Sequence, residues 1–195
     1  AKMFALYITH PQVLIDPAVP VPDWGLSERG RERAQLAAGG RLARQVSRFV
    51  ASTERKAIET AEILAAGRLA VETDPAMGEN DRSATGYLAP EAFEAAANDF
   101  FARPAESFRG WERAVDAQAR IVSAVERVLA THDPHLPIAF VGHGGVGTLL
   151  KCHLRNAPIR RDGDQPGGGG NLFAFRLADR AVTCDWTPME SWKGF

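Results

Sequence analysis

Phe4-Ala5-Leu6-Tyr7-Ile8-Thr9-His10 is a short apolar run that ends on a histidine, and Ile138-Ala139-Phe140-Val141-Gly142-His143 repeats that arrangement late in the chain. Runs of this length, rich in β-branched and aromatic residues and bounded by turn residues, read as buried strands. In open α/β sheets ligands sit just beyond the carboxyl ends of the strands. Imidazole is the side chain best suited to acid, base or nucleophilic work near neutral pH. The chain has five histidines, so a pair at matching strand ends is its strongest functional signal.

Strand-like and helix-like patterns alternate outward from these two runs. Four prolines (Pro11, Pro17, Pro20, Pro22) keep the loop after His10 irregular. Ser27 reads as an N-cap, with Glu28 in the first turn and Ala34, Ala37, Ala38 and Leu42 on the apolar face. Residues 48–51 read as a short buried strand. Ser52 or Thr53 then caps a second helix whose inner face is Ala57, Ala61, Leu64 and Ala65, and residues 69–71 suit an edge strand. Gly78 to Gly110 mixes a polar loop with a helix facing inward through Phe93, Ala96, Ala97 and Phe100. A long amphipathic helix (Val115, Ala119, Val122, Val125, Leu129 inward) precedes the second histidine-ended strand. A helix from about Val146 to Leu154 follows, then a Pro- and Gly-rich loop over 156–170 and strands at Leu172–Leu177 and Val182–Trp186. The alternation predicts an α/β fold: a three-layer α/β/α sandwich around a mostly parallel sheet, with one domain over residues 1–195.

Composition narrows the function classes. A net charge of −1 in 195 residues gives no basic surface for nucleic acid, and 45% hydrophobic content suits a folded core. No apolar run reaches the ~18 residues of a membrane helix, and no secretory signal is legible. Cys152 and Cys184 are too few for a disulfide framework and read as buried free thiols of a cytoplasmic protein. Oligomeric state is not encoded legibly.

Arg55 and Lys56 lie in the first turn of the second helix, where the macrodipole favours anions over cations. They make sense there if an anion binds in front of them, or if Glu54 and Glu59 compensate them locally. His143 sits in Val141-Gly142-His143-Gly144-Gly145-Val146-Gly147, where glycines allow close backbone approach to a ligand. Gly142, Gly144 and Gly147 have the spacing of the dinucleotide-binding fingerprint. The acidic residue that fingerprint needs falls on Asp162 or Asp164, in a loop, and too little chain remains for the second half of such a domain. No serine centres the turn, so it is not a nucleophile elbow. His132, His135, His143 and His153 have no acidic partner at metal-ligand spacing. Glu79 stands in a polar stretch that by itself reads as surface.

Taken in order, these segments resemble the histidine phosphatase superfamily, whose fold is phosphoglycerate mutase-like. Thr9-His10-Pro11 and Leu26-Ser27-Glu28-Arg29-Gly30 match that family's Arg-His-Gly strand end and Leu-Thr-x-x-Gly helix opening. Residues 51–61, Ala-Ser-Thr-Glu-Arg-Lys-Ala-Ile-Glu-Thr-Ala, look like its Ser-Ser-x-x-x-Arg-Ala-x-Gln-Thr-Ala segment. Glu79 matches its glutamate, and Gly142-His143-Gly144-Gly145 its Gly-His-x-Gly turn. The resemblance implies phosphoryl transfer through a phosphohistidine, without metal or other cofactor. His10 would be the nucleophile, and Glu79 would protonate the leaving oxygen and then activate water. His143 would support the phosphoryl group beside Lys56, Arg55, Thr9 and Arg82. The partner would be a small phosphorylated substrate, a phosphoprotein or inorganic phosphate, and a small cap insertion at about 78–110 would cover the site.

Three positions depart from the family pattern. Thr9 replaces an arginine and loses a charged bidentate contact. Pro11 replaces a glycine and removes a backbone N–H. Lys56 replaces a second arginine, and Arg55 beside it points about 100° around the helix. Fewer cations should leave His10 less biased to its neutral form. Arg82 or Arg109 is the expected compensation. Two other readings therefore stay open: a pseudophosphatase that binds an anionic ligand or partner without turnover, and a mutase.

Overall fold

Alternate residues of a strand face opposite ways, and in this sheet both faces are covered. The computed structural model describes residues 3–194. Six strands, β1 (Phe4–Thr9), β2 (Phe49–Ala51), β3 (Val71–Thr73), β4 (Ile138–Gly142), β5 (Asn171–Arg176) and β6 (Val182–Pro188), form one sheet in the order β3-β2-β4-β1-β5-β6. The first four in that order are parallel, and β5 and β6 add antiparallel pairs. The helices are α1 (Glu28–Gly39), α2 (Leu42–Gln45), α3 (Arg55–Ala65), α4 (Pro90–Ala102), α5 (Ala114–Thr131) and α6 (Gly144–Leu154).

Leu6, Ile8, Phe49, Ala51, Ala139 and Val141 pack against Ala34, Ala37, Ala57, Ala61 and Leu64, so α1 and α3 cover one face. The alternate residues Ala5, Tyr7, Val50, Ile138 and Phe140 pack against Ala96, Phe100, Ala117, Ile121, Val146 and Leu149, so α4, α5 and α6 cover the other. β1 and β4 are neighbours, yet the helices that follow them, α1 and α6, lie on opposite faces. Their carboxyl ends therefore mark a topological switch point, where an open α/β sheet leaves a crevice.

The structure corrects several boundaries. Gly39 and Gly40 end α1, and Leu42 belongs to the separate short α2. The third strand is Val71–Thr73 and not 69–71, because its pairing partner Phe49–Ala51 sets the register. Cys184 is partly exposed on the last strand, although Cys152 is buried as expected. The N-cap of α3 is Glu54, neither Ser52 nor Thr53; its side chain makes no capping bond, and the Ser52 hydroxyl is engaged elsewhere. Among the described residues no helix is long and apolar enough to cross a membrane.

Candidate active site

Thr9 and Gly142 are register partners in β1 and β4, so His10 and His143 leave the sheet side by side. The His10 N–H donates to the Gly142 carbonyl at 3.1 Å, and the two imidazole rings meet edge-on with centroids 5.3 Å apart. His10 Nδ1 lies 2.9 Å from the Pro11 carbonyl oxygen. A carbonyl only accepts, so Nδ1 carries the proton and Nε2 keeps its lone pair. Burial, helped by His143 and Lys56, pulls the His10 pKa down to about 3. Desolvation is the largest cause of this shift, so the ring is neutral even with Thr9 in place of a cation.

His143 is fixed more tightly. Tyr7, buried under the turn, accepts from the His143 N–H and donates to its carbonyl, both at 2.9 Å. Gly142 and Gly147 permit this, since a Cβ at either would come within 2.5 Å of the Tyr7 side chain. His143 Nε2 lies 2.7 Å from Ser52 Oγ and 3.2 Å from Glu54 Oε2. Burial would raise the Glu54 pKa, but His143, Lys56 and the Glu79 N–H hold it at about 2. An ionised carboxylate accepts only, so Nε2 of His143 carries a proton and Nδ1, with no protein partner among the described residues, keeps a lone pair. Burial lowers the His143 pKa, opposed by Glu54 and Glu79.

Glu79 reaches the site from the loop after β3. Its carboxylate accepts from the backbone N–H groups of Gly145 (2.9 Å), Val146 (2.9 Å) and Asn80 (3.0 Å). A Cβ at position 145 would fall 2.6 Å from Glu79 Oε1, so the glycine is what admits the carboxylate. The first amides of α6 are thus engaged by a protein side chain. Burial would raise the Glu79 pKa, but Arg82, His143 and the amides of Asn80 and Gly145 bring it below the usual carboxylate value.

Two cations face this centre. Lys56 is only 4% exposed; its ammonium sits 3.1 Å from Glu54 Oε1 and donates to the Val21 carbonyl. Arg82 lies 3.7 Å from Glu79 Oε2, donates through Nε to Asn80 Oδ1 at 3.0 Å, and stacks on Phe93 and Trp111. The other amide atom of Asn80, Nδ2, is a buried donor without a partner among the described residues. His10, Glu54, Lys56, Glu79, Asn80, Arg82 and His143 all border one open cavity of about 990 Å³, and Ser52 and Tyr7 lie behind them. Among the described residues no cluster of His, Cys, Asp and Glu is placed to hold a metal ion.

The family model described as histidine phosphatase superfamily (branch 1) matches residues 18–175. The chain belongs to the histidine phosphatase superfamily. The match begins beyond His10, so the divergent Thr9-His10-Pro11 lies outside it. No curated protein sequence matches the chain. Among solved structures, a mycobacterial glucosyl-3-phosphoglycerate phosphatase superposes with TM-score 0.75 at 23% identity, covering 100% of both chains. Bacillus stearothermophilus YhfR gives 0.78 at 20%, covering 96% of this chain and 99% of the other. An Entamoeba histolytica phosphoserine phosphatase variant, in complex with phosphoserine, gives 0.77 at 16%, covering 97% and 100%. They share the histidine phosphatase fold, whose sheet here places His10 and His143.

Of the residues singled out by sequence, His10, Lys56, Glu79, Arg82 and His143 converge on the cavity. Thr9 and Arg55 do not. Thr9 is fully buried, with its hydroxyl donating to Gln165 Oε1 and accepting from the Asn171 N–H, because adjacent strand residues point to opposite sides. The Arg55 side chain is 63% exposed and pairs with Glu59 on the outside of α3. Arg109 packs against Phe108, away from the cavity. Glu54 and Asn80 escaped the sequence reading as site groups. The one signal for Glu54 was its place beside first-turn cations, which sequence allowed only as local compensation.

Proposed function

We propose that the protein hydrolyses phosphomonoesters through a phosphorylated His10. The observation that carries this reading is the free Nε2 lone pair of a neutral imidazole, held by the Pro11 carbonyl and facing a cavity with Lys56 and Arg82 on its wall. His10 Nε2 attacks phosphorus, the P–O ester bond breaks, and its electron pair leaves with the alcohol oxygen, which takes a proton from Glu79. Water then attacks the phosphohistidine, its proton passes back to Glu79, and the P–N bond electrons return to Nε2. Lys56, Arg82, the Asn80 amide and His143 hold the phosphoryl oxygens. The phosphatase names of the solved relatives support this chemistry. A brief pulse with 4-nitrophenyl phosphate followed by mass measurement should find one phosphate on His10, stable to base and labile to acid. Phosphate found on no residue, at any pH tested, would sink the proposal.

Glu54 gives His143 its part. The neutral ring offers a lone pair to the cavity, so it can donate to a phosphoryl oxygen only after Nδ1 takes up a proton. Glu54 at Nε2 supports that imidazolium and so supplies a cation where Thr9 supplies none. The other charges facing this ring are Glu79, Lys56 and Arg82, with neutral His10 alongside. Sulfate, a dianion at every pH concerned, should therefore bind with uptake of about one proton and weaken by about tenfold per pH unit on the alkaline side. In Glu54→Gln the anion already gains the uncompensated Lys56, so uptake should vanish and the pH dependence flatten. Calorimetry in buffers of different ionisation enthalpy measures both; identical uptake in the two proteins would refute this role.

A second reading, an anion binder without turnover, draws on Glu54 neutralising Lys56 and on Thr9 facing away. The pulse experiment separates the two.

A further inference from the structure

The reacting phosphoryl group claims every lysine and arginine that borders the cavity. Among the described lining residues these are Lys56 and Arg82 alone, and each already answers a carboxylate, Glu54 at 3.1 Å and Glu79 at 3.7 Å. The other charges of the lining are negative: Asp81, two residues after Glu79, and Glu94 on α4. Glu94 is met at 2.6 Å by Arg161, which does not border the cavity. Asp81 has no ion-pair partner among the described residues.

That carboxylate is built to stay ionised. Its Oδ1 accepts from the Ser83 hydroxyl at 2.6 Å and the Ser83 N–H at 2.9 Å, which hold its pKa below the usual carboxylate value. Arg120 acts on it only from a distance, being spent on Glu112 and on the carbonyls of Ala76 and Gly78. Apolar walls, here Ile15, Val19, Trp24 and Phe93, focus the field of such an unmet charge into a cleft. A second anion on a bound ester would find no cation left and would face Asp81.

An ammonium group is served little better. Arg82 already stacks on Phe93 and Trp111, 4.7 and 5.2 Å from their ring centroids, and Lys56 stands 5.9 Å from that of Trp24. The aromatic faces that would attract a cation are therefore taken. What the wall leaves open is hydrogen bonding. Asp81 Oδ2 accepts, and the Tyr87 hydroxyl, without a partner among the described residues, can donate and accept. We infer that the substrate is the phosphate monoester of a neutral, hydroxyl-bearing alcohol, and that Asp81 turns away esters carrying a second anionic group. This deepens the phosphatase reading above and rests on it.

The test measures kcat/KM for glycerol 3-phosphate, 3-phosphoglycerate and phosphoethanolamine. The first two share a carbon chain and a primary leaving oxygen, and a carboxylate in the second replaces a CH₂OH, so their ratio reads the added charge. At low ionic strength glycerol 3-phosphate should exceed 3-phosphoglycerate by about tenfold or more, and salt should narrow the gap by screening Asp81. It should exceed phosphoethanolamine as well. Asp81→Asn keeps an Oδ1 for Ser83 but removes the charge, so the ratio should fall to about threefold or below. Asp81→Lys should reverse it. Wild-type kcat/KM on 3-phosphoglycerate equal to or above that on glycerol 3-phosphate overturns the inference, as does a ratio that neither salt nor Asp81→Asn moves. Phosphoethanolamine turned over faster than glycerol 3-phosphate would place a cation at Asp81 and overturn the neutral alcohol. If no ester is hydrolysed, the phosphatase reading has failed and calorimetry with the first two esters still decides. Tighter binding of glycerol 3-phosphate, reversed in Asp81→Lys, sustains the charge selection, and equal affinity removes it.

Discussion

His10→Ala should lower phosphomonoesterase turnover by about four to six orders of magnitude, the usual cost of deleting a covalent nucleophile. No other group in the cavity can take over. The His143 ring is only 1% exposed, its Nε2 is engaged by Ser52 and Glu54, and the Tyr7 hydroxyl pins its backbone. Removing His10 deletes no buried charge, since burial keeps its pKa at about 3 and the ring is neutral throughout the working range. The melting temperature should therefore change little. The vacated space lies in an open cavity, so free imidazole added to His10→Ala should restore part of the turnover. Steady-state kinetics with and without imidazole, beside thermal unfolding, check all three points. Retention of more than about one per cent of wild-type turnover would remove His10 from the nucleophile's role.

The same low pKa has a consequence for the wild type. A histidine whose folded pKa is depressed loses its neutral form only below that value, so the nucleophile stays ready from about pH 4 upward. Any acid limb in kcat/KM above that point belongs to substrate or to Glu79, and the alkaline limb to the proton on His143.

How the sequence yielded some of this and withheld the rest follows from distance along the chain. The strands before His10 and His143 were legible because an apolar run and the residue after it are local features. Lys56 was legible as a site cation, but Arg55 was grouped with it, although neighbours on a helix diverge by about 100° and the structure turns Arg55 outward to Glu59. Glu79 was visible only through the family resemblance, since its partners, the amides of Gly145 and Val146, lie more than sixty residues away. Thr9 was misread for a different reason. Its family position suggested a ligand contact, but on β1 its side chain goes to Gln165 and Asn171, which the sequence gives no means of placing beside it. Glu54 was read as a solvated compensator. Only the fold brings His143 and the Glu79 amide together at its Oε2, with Lys56 at Oε1, and makes it a largely buried anion.

Glu79→Gln should separate the two chemical steps. If Glu79 is chiefly the base for the second step, the variant still forms the phosphohistidine from an aryl phosphate but hydrolyses it slowly. Steady-state turnover then falls by about 10²–10⁴-fold, the span of general-base contributions. Product release should show a burst equal to the enzyme concentration, with phosphorylated protein accumulating behind it. The substitution also has a structural cost. Two carboxylate oxygens now accept three backbone N–H groups, and a glutamine must turn its NH₂ toward one or more of those donors. Leaving such a buried N–H unpaired costs about 1–3 kcal/mol, so unfolding is measured on the same preparation. Charge loss and misfolding are then told apart by the burst: a folded variant gives full amplitude, and a partly unfolded one gives amplitude in proportion to its folded fraction. An alkyl phosphate reads the other step, because its leaving oxygen needs a proton. With that substrate the burst should be lost as well. A Glu79→Gln enzyme that turns over aryl phosphate at the wild-type steady-state rate would show that water reaches the phosphohistidine without this carboxylate, and the base would have to be sought elsewhere in the cavity.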